Sequence, residues 1–375
     1  MEVTMKDQRL EKLARVLVEY STGVKPGDNV CVSGEDSAIP FIKEVAKQAI
    51  LAGGNVKWFV DMPELDEFLL KNGKPEQIEQ PNYRFGECAR ADVWISAWGT
   101  DNVSTLSSID GDTLKRRRLA NSENRKIYNT RSRNGELRWC GTQFPLNGDA
   151  QYAGMSLDEY EDFVYGAGFI DRDDPVAEWK KMSEYQQKWA DRLNKVSELE
   201  IFSEKTHITL SVKDRKWINC CGNENFPDGE IFTSPVEDSV NGYITFSYPA
   251  LMNGNEFKNV RLEFENGKII KASCDDEQMT QKLLTYIDTD EGSRFLGEVA
   301  FGTNYGIKRF SRNILFDEKI GGTMHMALGA GFPEAGGKND SAIHWDMIND
   351  MTKCGRVLAD GVVIYENGRF KDELL

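Results

Sequence analysis

Only three histidines occur in this 375-residue chain, and two of them, His325 and His344, fall close together. The second sits in Ser341-Ala342-Ile343-His344-Trp345-Asp346-Met347-Ile348, with an aspartate two places on. Residues two apart share a face in a strand but point about 200° apart in a helix. The flanks favour a strand, because Ile343, Trp345 and Met347 alternate with Ala342, His344 and Asp346. His344 and Asp346 would then project side by side and could hold one metal ion. Taken alone, the pair reads first as a core histidine held by its neighbour.

The surroundings favour the metal. His325 lies in GGTMHMALG, a glycine-flanked apolar segment in which a charged imidazolium would be costly to bury. Glu230 in NFPDGEIFTSP, Glu298 in RFLGEVAFGTN and Glu318 in NILFDEKIGG stand in similar settings. Buried carboxylates are rare unless paired or bound to metal. Two divalent cations carry four positive charges, which Glu230, Glu298, Glu318 and Asp346 would match while two neutral imidazoles add none. In such two-metal sites the ions lie roughly 3.5–4 Å apart and share an activated water. With no cysteine in the set, zinc, cobalt or manganese suits the donors better than an iron–sulfur cluster.

Bulk properties narrow the partners. The net charge of −15 argues against nucleic acid, whose phosphates need a basic surface, and against an anionic membrane. It is compatible with a substrate that carries an amine. Seven cysteines, an odd number with no CxxC pair, indicate reduced thiols rather than a disulfide framework. The opening MEVTMKDQRLEKLARVLVEY is charged throughout and reads as no secretory leader. No run reaches the ~20 apolar residues of a membrane span. A cytoplasmic protein is the expectation.

Two kinds of element must position these residues. In the first half, Leu10, Leu13, Ala14 and Leu17 mark an amphipathic helix. Residues 29–32, 56–60 and 92–97 then read as strands, with a helix over 39–51 between the first two. Strands alternating with helices predict an α/β domain with a mostly parallel sheet over residues 1–190. A long charged helix pattern over 174–199 bridges to a different texture. Residues 206–212 alternate, and Asn266-Gly267 and Asn367-Gly368 are hairpin signals between alternating runs. Residues 191–375 therefore read as a β-rich α+β metal-binding domain.

At this point the motifs converge on a resemblance. GEIFTSPVEDSVNG, FLGEVAFGTN, NILFDEKIGGTMH and SAIHWDMI, in this order, together with the opening LARVLVEYSTGVKPGDNV, resemble the thermophilic-aminopeptidase family of cytosolic metallopeptidases, the AmpS and PepS type. The similarity runs end to end. It implies two co-catalytic metal ions, peptide substrates cleaved at the N-terminus, and a homodimer that encloses the site. It also implies Glu230, Glu298, Glu318, His325, His344 and Asp346 as ligands, with Glu298 bridging.

One position departs from the family pattern. The family's tyrosine seven residues after the first ligand histidine is Phe332 here. That tyrosine donates to the tetrahedral intermediate, and losing one such donor typically costs about 10²–10³ in kcat. Glu237 and Asp238, in SPVEDSVNG, are candidates for the general base, with Glu334 and Asp340 behind them.

Two other readings stand beside the metallo-aminopeptidase. A mononuclear iron oxygenase could use His325, His344 and Asp346 as a two-histidine, one-carboxylate triad, although it leaves the glutamates unused. A catalytically impaired homologue that binds peptide or metal is motivated by Phe332. Other signals read as structural. The basic run Leu114–Leu119 is a solvated helix face, and His207 in THITL is a strand residue. Gly329-Ala330-Gly331 lacks the third glycine of a dinucleotide loop, and the absence of a GxSxG elbow gives a serine hydrolase no support.

Overall fold

The computed structural model describes residues 7–375; the first six residues of the charged opening segment lie outside it. The chain divides into two compact units. The first runs to Trp179 and takes back Gly222–Pro227; the second comprises Lys180–Cys221 and Asp228–Leu375. The helix Pro175–Leu193 carries the chain from one to the other.

The first unit is the expected α/β domain. Its five-stranded sheet runs Asn55–Asp61, Asn29–Glu35, Val93–Trp98, Arg138–Gln143, Asn225–Phe226, with every pairing parallel. Val30, Val32, Val93 and Ile95 are buried, as expected of inner strands covered on both faces. The helix Ile39–Leu51 buries Phe41, Ile42, Val45, Ala46 and Ala49, one stripe at helical spacing. The opening helix buries Leu13 and Ala14, and its continuation over Val16–Ser21 widens to a π-helix that buries Leu17. The basic run falls on the helix Gly111–Ala120, none of whose residues is buried.

The second unit is β-rich and antiparallel. Eight strands form one sheet and five form another. Both predicted hairpins are present, with Asn266 and Asn367 each at φ 48° and the following glycines at φ 80° and 77°, as a two-residue type I′ turn requires. The smaller sheet runs His344–Asp350, Thr323–Gly329, Leu296–Gly302, Glu230–Thr233, Ile218–Cys220. One face of it joins a single core with the larger sheet: Ile231, Val299, Phe301, Met324, Met326, Trp345 and Met347 pack with Leu199, Ile208, Leu262 and Phe264.

Candidate metal centre

Strand alternation decides where the candidate ligands go. Val299, Met326, Trp345 and Met347 face the core. Their neighbours Glu298, His325, His344 and Asp346 therefore share the opposite face of the five-stranded sheet. Glu230, adjacent to core-facing Ile231, joins them. Within the register, Ala327 lies between Glu298 on one neighbouring strand and Asp346 on the other. Directly opposed residues have Cβ atoms about 4.5–5.5 Å apart, so a methyl group between two carboxylates leaves open space at the centre of the cluster.

Glu298 reaches this face through a β-bulge. The register shifts between Leu296 and Glu298, so that Leu296 pairs with Leu328 and Glu298 with Ala327. The extra residue, Gly297, lets Leu296 and Val299 both face the core while Glu298 turns outward. No side chain fits there: a Cβ on Gly297 would lie 2.1 Å from the Ala330 carbonyl oxygen.

Glu318 arrives differently. It caps the C-terminus of the one-turn helix Ile314–Asp317, whose start is capped by the Asn313 side chain accepting from the Leu315 N–H. Buried Asp317 accepts from the Ser311 N–H at 2.6 Å and its hydroxyl at 2.8 Å. Buried Gln186 holds the Glu230 strand from behind, donating to the carbonyls of Glu230 at 2.9 Å and Cys220 at 2.8 Å.

Both imidazoles have a fixed orientation. His325 Nδ1 lies 2.8 Å from the Glu318 carbonyl oxygen and His344 Nδ1 2.8 Å from that of Ala330. A carbonyl only accepts, so each Nδ1 carries the proton and donates, and each Nε2 is turned toward the carboxylates. His325 Nε2 is 3.4 Å from Glu230 Oε2 and 3.5 Å from Glu298 Oε1. His344 Nε2 is 3.1 Å from Glu298 Oε2 and 3.4 Å from Asp346 Oδ1. Of the two side chains, His325 is 1 % exposed and His344 29 %, which places His344 at the open edge.

The electrostatics show a demand for positive charge. Burial opposes protonating His325, but Glu298 beside it outweighs burial and pushes its pKa up to about 10. Asp346 and Glu298 likewise overcome burial at His344 and raise it to about 11. Burial raises Glu230 to about 8 against the pull of Lys319 and His325. Burial also raises Glu298, yet its two imidazole partners bring it below the usual carboxylate range. This demand can be met by protons on the imidazoles or by metal ions. The donor set fits metal: apart from the imidazole Nε2 that each faces at 3.4 Å, Glu230 Oε2 and Asp346 Oδ1 are buried without a hydrogen-bond partner.

The donors form overlapping triplets. Glu230, Glu298 and His325 converge; so do Glu298, His344 and Asp346; so do Glu318, His325 and Asp346, each set with ligand atoms within 4.8 Å of one another. Glu298 belongs to the first two. A fourth group, Cys220, Asp228 and Glu230, extends from Glu230.

Of the other residues singled out from sequence, Phe332 borders the site. Its ring centroid is 5.1 Å from that of His344 and 4.8 Å from that of Phe232, and its N–H donates to Ser234 Oγ. Glu237 is in none of the converging groups. Its carboxylate pairs with Arg215 at 2.6 Å and accepts from the Lys338 N–H at 2.7 Å. His207 pairs with Glu200 on an exposed strand face.

Lys319 carries no signal in the sequence, where it follows Glu318 like any solvated ion pair. It is wholly buried, paired with Glu318 and 3.7 Å from Glu230 Oε1. Burial would lower its pKa, but Glu230 and Glu318 outweigh burial and hold the ammonium charged. A cavity of ≈ 190 Å³ opens beside His344 and Asp346, walled by Leu251, Met252, Phe310 and Ile314.

The profile of the thermophilic metalloprotease (M29) family matches residues 6–370. Aminopeptidase 2 of Geobacillus stearothermophilus is 25 % identical over 91 % of this chain and 92 % of its own. Among solved structures, wild-type AmpT from Thermus thermophilus superposes with a TM-score of 0.82 at 22 % identity, covering 97 % of this chain and 99 % of its own. The 2,5-dihydroxypyridine dioxygenase of Pseudomonas putida KT2440 gives 0.60 at 12 % identity, covering 97 % and 96 %. These two likenesses concern the fold.

Proposed function

The chain belongs to the M29 family of thermophilic metalloproteases and is a metallo-aminopeptidase, and from that premise we propose that it works with two divalent ions. Glu230 and His325 would hold one, His344 and Asp346 the other, with Glu298 shared between them and Glu318 completing the set. The observation that carries this reading is Glu298, shared by two triplets that each contain a different histidine. Zinc, cobalt or manganese suits these oxygen and nitrogen donors. Divalent ions bound there supply Lewis acidity and lower the pKa of water.

The chain's own groups do the rest. The Glu318 and Ala330 carbonyls fix the tautomers that aim both Nε2 atoms inward. Lys319 offsets the charge of Glu230 and Glu318. The chain's net charge of −15 favours the approach of a substrate that carries an amine. The apolar cavity beside His344 and Asp346 takes the first side chain. Glu237, with both oxygens accepting strong hydrogen bonds, is better suited to holding the Lys338 loop than to taking a proton. Phe332 fills the place of a donor with a ring that cannot donate.

The dioxygenase of similar fold gives the iron-oxygenase alternative a structural point of contact. However, each converging triplet holds one imidazole and none holds both, which disfavours a triad of His325, His344 and Asp346. We further propose, on the family resemblance, a cytoplasmic homodimer with peptide substrates. Among the described residues no helix is long and apolar enough to cross a membrane.

The test is amino-acid release from a panel of short peptides, comparing metal-stripped protein with protein reconstituted with zinc, cobalt or manganese. Metal counts are taken in parallel. We expect two ions per chain and release from the N-terminus, favouring leucine and methionine over glycine. One ion per chain with an oxygen-dependent reaction would select the oxygenase. Two ions without release would select the impaired homologue.

A further inference from the structure

A cavity that nothing above explains lies within the first unit. It encloses ≈ 580 Å³, in the range of small-molecule sites. Ser33, Gly34, Glu35 and Asp61 line it, as do Ser96, Ala97 and Trp98; these are the C-terminal ends of three parallel strands. The strand Asn29–Glu35 lies between Asn55–Asp61 and Val93–Trp98, so the chain leaves the middle of the sheet first to one side and later to the other. At such a switch point the loops diverge and leave a crevice, where open α/β sheets bind ligands.

The walls are aromatic. Trp94 meets Tyr128 edge-on at 5.9 Å, Tyr128 meets Trp139 at 5.9 Å and Phe85 meets Trp94 at 5.8 Å. Trp94 Nε1 donates to Ser33 Oγ at 2.9 Å and Trp139 Nε1 to Ser132 Oγ at 3.0 Å. These bonds satisfy the polar edges and fix the rings. Trp98 packs against the backbone of Gly141, where a Cβ would lie 1.9 Å from its ring.

The charges are of both signs and only partly cancel. Asp61 and Arg84 pair with each other at 2.9 Å. Glu35 and Arg125 also line the cavity, and among the described residues neither has a charged partner within ion-pair distance. Burial and then the neighbouring acids Asp36 and Asp61 raise the Glu35 carboxyl to about 7, so a cation placed beside it would be welcome. A phosphate would not be, because acids stand where a glycine-rich turn would cradle it. What complements one unmatched carboxylate, one unmatched guanidinium and fixed aromatic walls is a small zwitterion with a ring.

We propose that this cavity binds a free aromatic α-amino acid, its ammonium on Glu35, its carboxylate on Arg125 and its ring among Trp94, Trp98 and Tyr128. The proposal does not depend on the metal centre, which lies in the other unit.

Full-length protein stripped of metal is titrated with L-phenylalanine. Binding is read by calorimetry and by indole fluorescence excited where phenylalanine does not absorb. We expect saturable one-site binding accompanied by a fluorescence change. Glu35→Gln and Arg125→Gln each weaken it by about tenfold or more, the effect of losing one charge-assisted hydrogen bond. Phenethylamine and 3-phenylpropionate, each lacking one charged group, bind the wild type weaker by a similar factor. Glu35 is half-buried and Arg125 exposed, and an unchanged melting temperature verifies each fold; should Glu35→Gln unfold, Arg125→Gln carries the test. No saturable binding overturns the proposal. So does binding that survives both substitutions, or binding lost in His344→Ala, which would move the ligand to the metal centre.

Discussion

Glu298 Oε2 stands 3.1 Å from His344 Nε2, while its other oxygen stands 3.5 Å from His325 Nε2. One carboxylate thus faces both imidazoles, and each imidazole is locked by a carbonyl behind it. Glu298→Ala should remove the shared ligand from both triplets. Metal content of the purified variant, measured by elemental analysis, should fall below one ion per chain. Peptide hydrolysis should fall more than about a hundredfold, since merely losing a partner that orients a ligand costs 10–100-fold. Wild-type metal content in this variant would remove Glu298 from the site.

The bulge at Gly297 ties the same two residues together through the backbone. A Cβ there would press on the Ala330 carbonyl, which is the acceptor for His344 Nδ1. Gly297→Ala should therefore misalign Glu298 and His344 at once. Metal affinity should drop by about 10–100-fold, with the far-ultraviolet circular dichroism unchanged. A competitive titration against a chromophoric chelator reads the affinity, and an undiminished value would dismiss the bulge as a positioning device.

On the family resemblance, Phe332 stands where a hydroxyl donor would. Phe332→Tyr should raise kcat on short peptides by about tenfold or more, toward the 10²–10³ that such a donor contributes, with KM little changed. A donor acting only in the transition state produces that split. An unaltered kcat would mean that another group already fills the role.

Lys319 is the buried counter-ion of Glu230 and Glu318. Lys319→Met should destabilise the metal-free protein by about 3–5 kcal/mol, because two buried carboxylates lose their partner. Added divalent metal should restore part of the loss by supplying the missing charge. Paired melting curves with and without metal decide it; equal melting temperatures for wild type and variant without metal would refute the counter-ion role.

Asp290 fastens the segment that leads into His344. It accepts from the Ala342 N–H at 2.7 Å, from the Ser341 hydroxyl at 2.8 Å and from the Ser293 N–H at 2.9 Å. The bond from Ala342, followed by that from Ser341, lowers its pKa to about 2. A depressed carboxylate stabilises the fold fully above its unfolded value, about 3.9, and loses that contribution as pH falls through about 2. Asp290→Asn should therefore melt lower than wild type near neutrality. In acid the gap should narrow across that window; a gap independent of pH would show that the charge is not what matters.

Much of this was legible in the chain alone. Period-two alternation around His344 and Asp346 placed both on one strand face, and the Asn-Gly pairs marked both hairpins. Those signals are local: backbone geometry and turn chemistry act over a few residues, and each residue's neighbours in sequence are its neighbours in space. The buried setting of Glu230 and Glu298 could be anticipated from their apolar flanks for the same reason.

Other features were settled only when the strands were brought together. Ala327 reads as one more small residue in MHMALG, yet register sets it between Glu298 and Asp346. Gly297 carries no signal of its own in the sequence, yet pairing makes it the bulge that turns Glu298 outward. Lys319 carries no signal of its own there either, and Glu237 reads as a candidate general base. Packing buries the first between two carboxylates and ties the second to Arg215. Composition and spacing fixed which groups could bind metal. Long-range pairing decided which of them meet, because the charge around a side chain depends on neighbours far away in sequence.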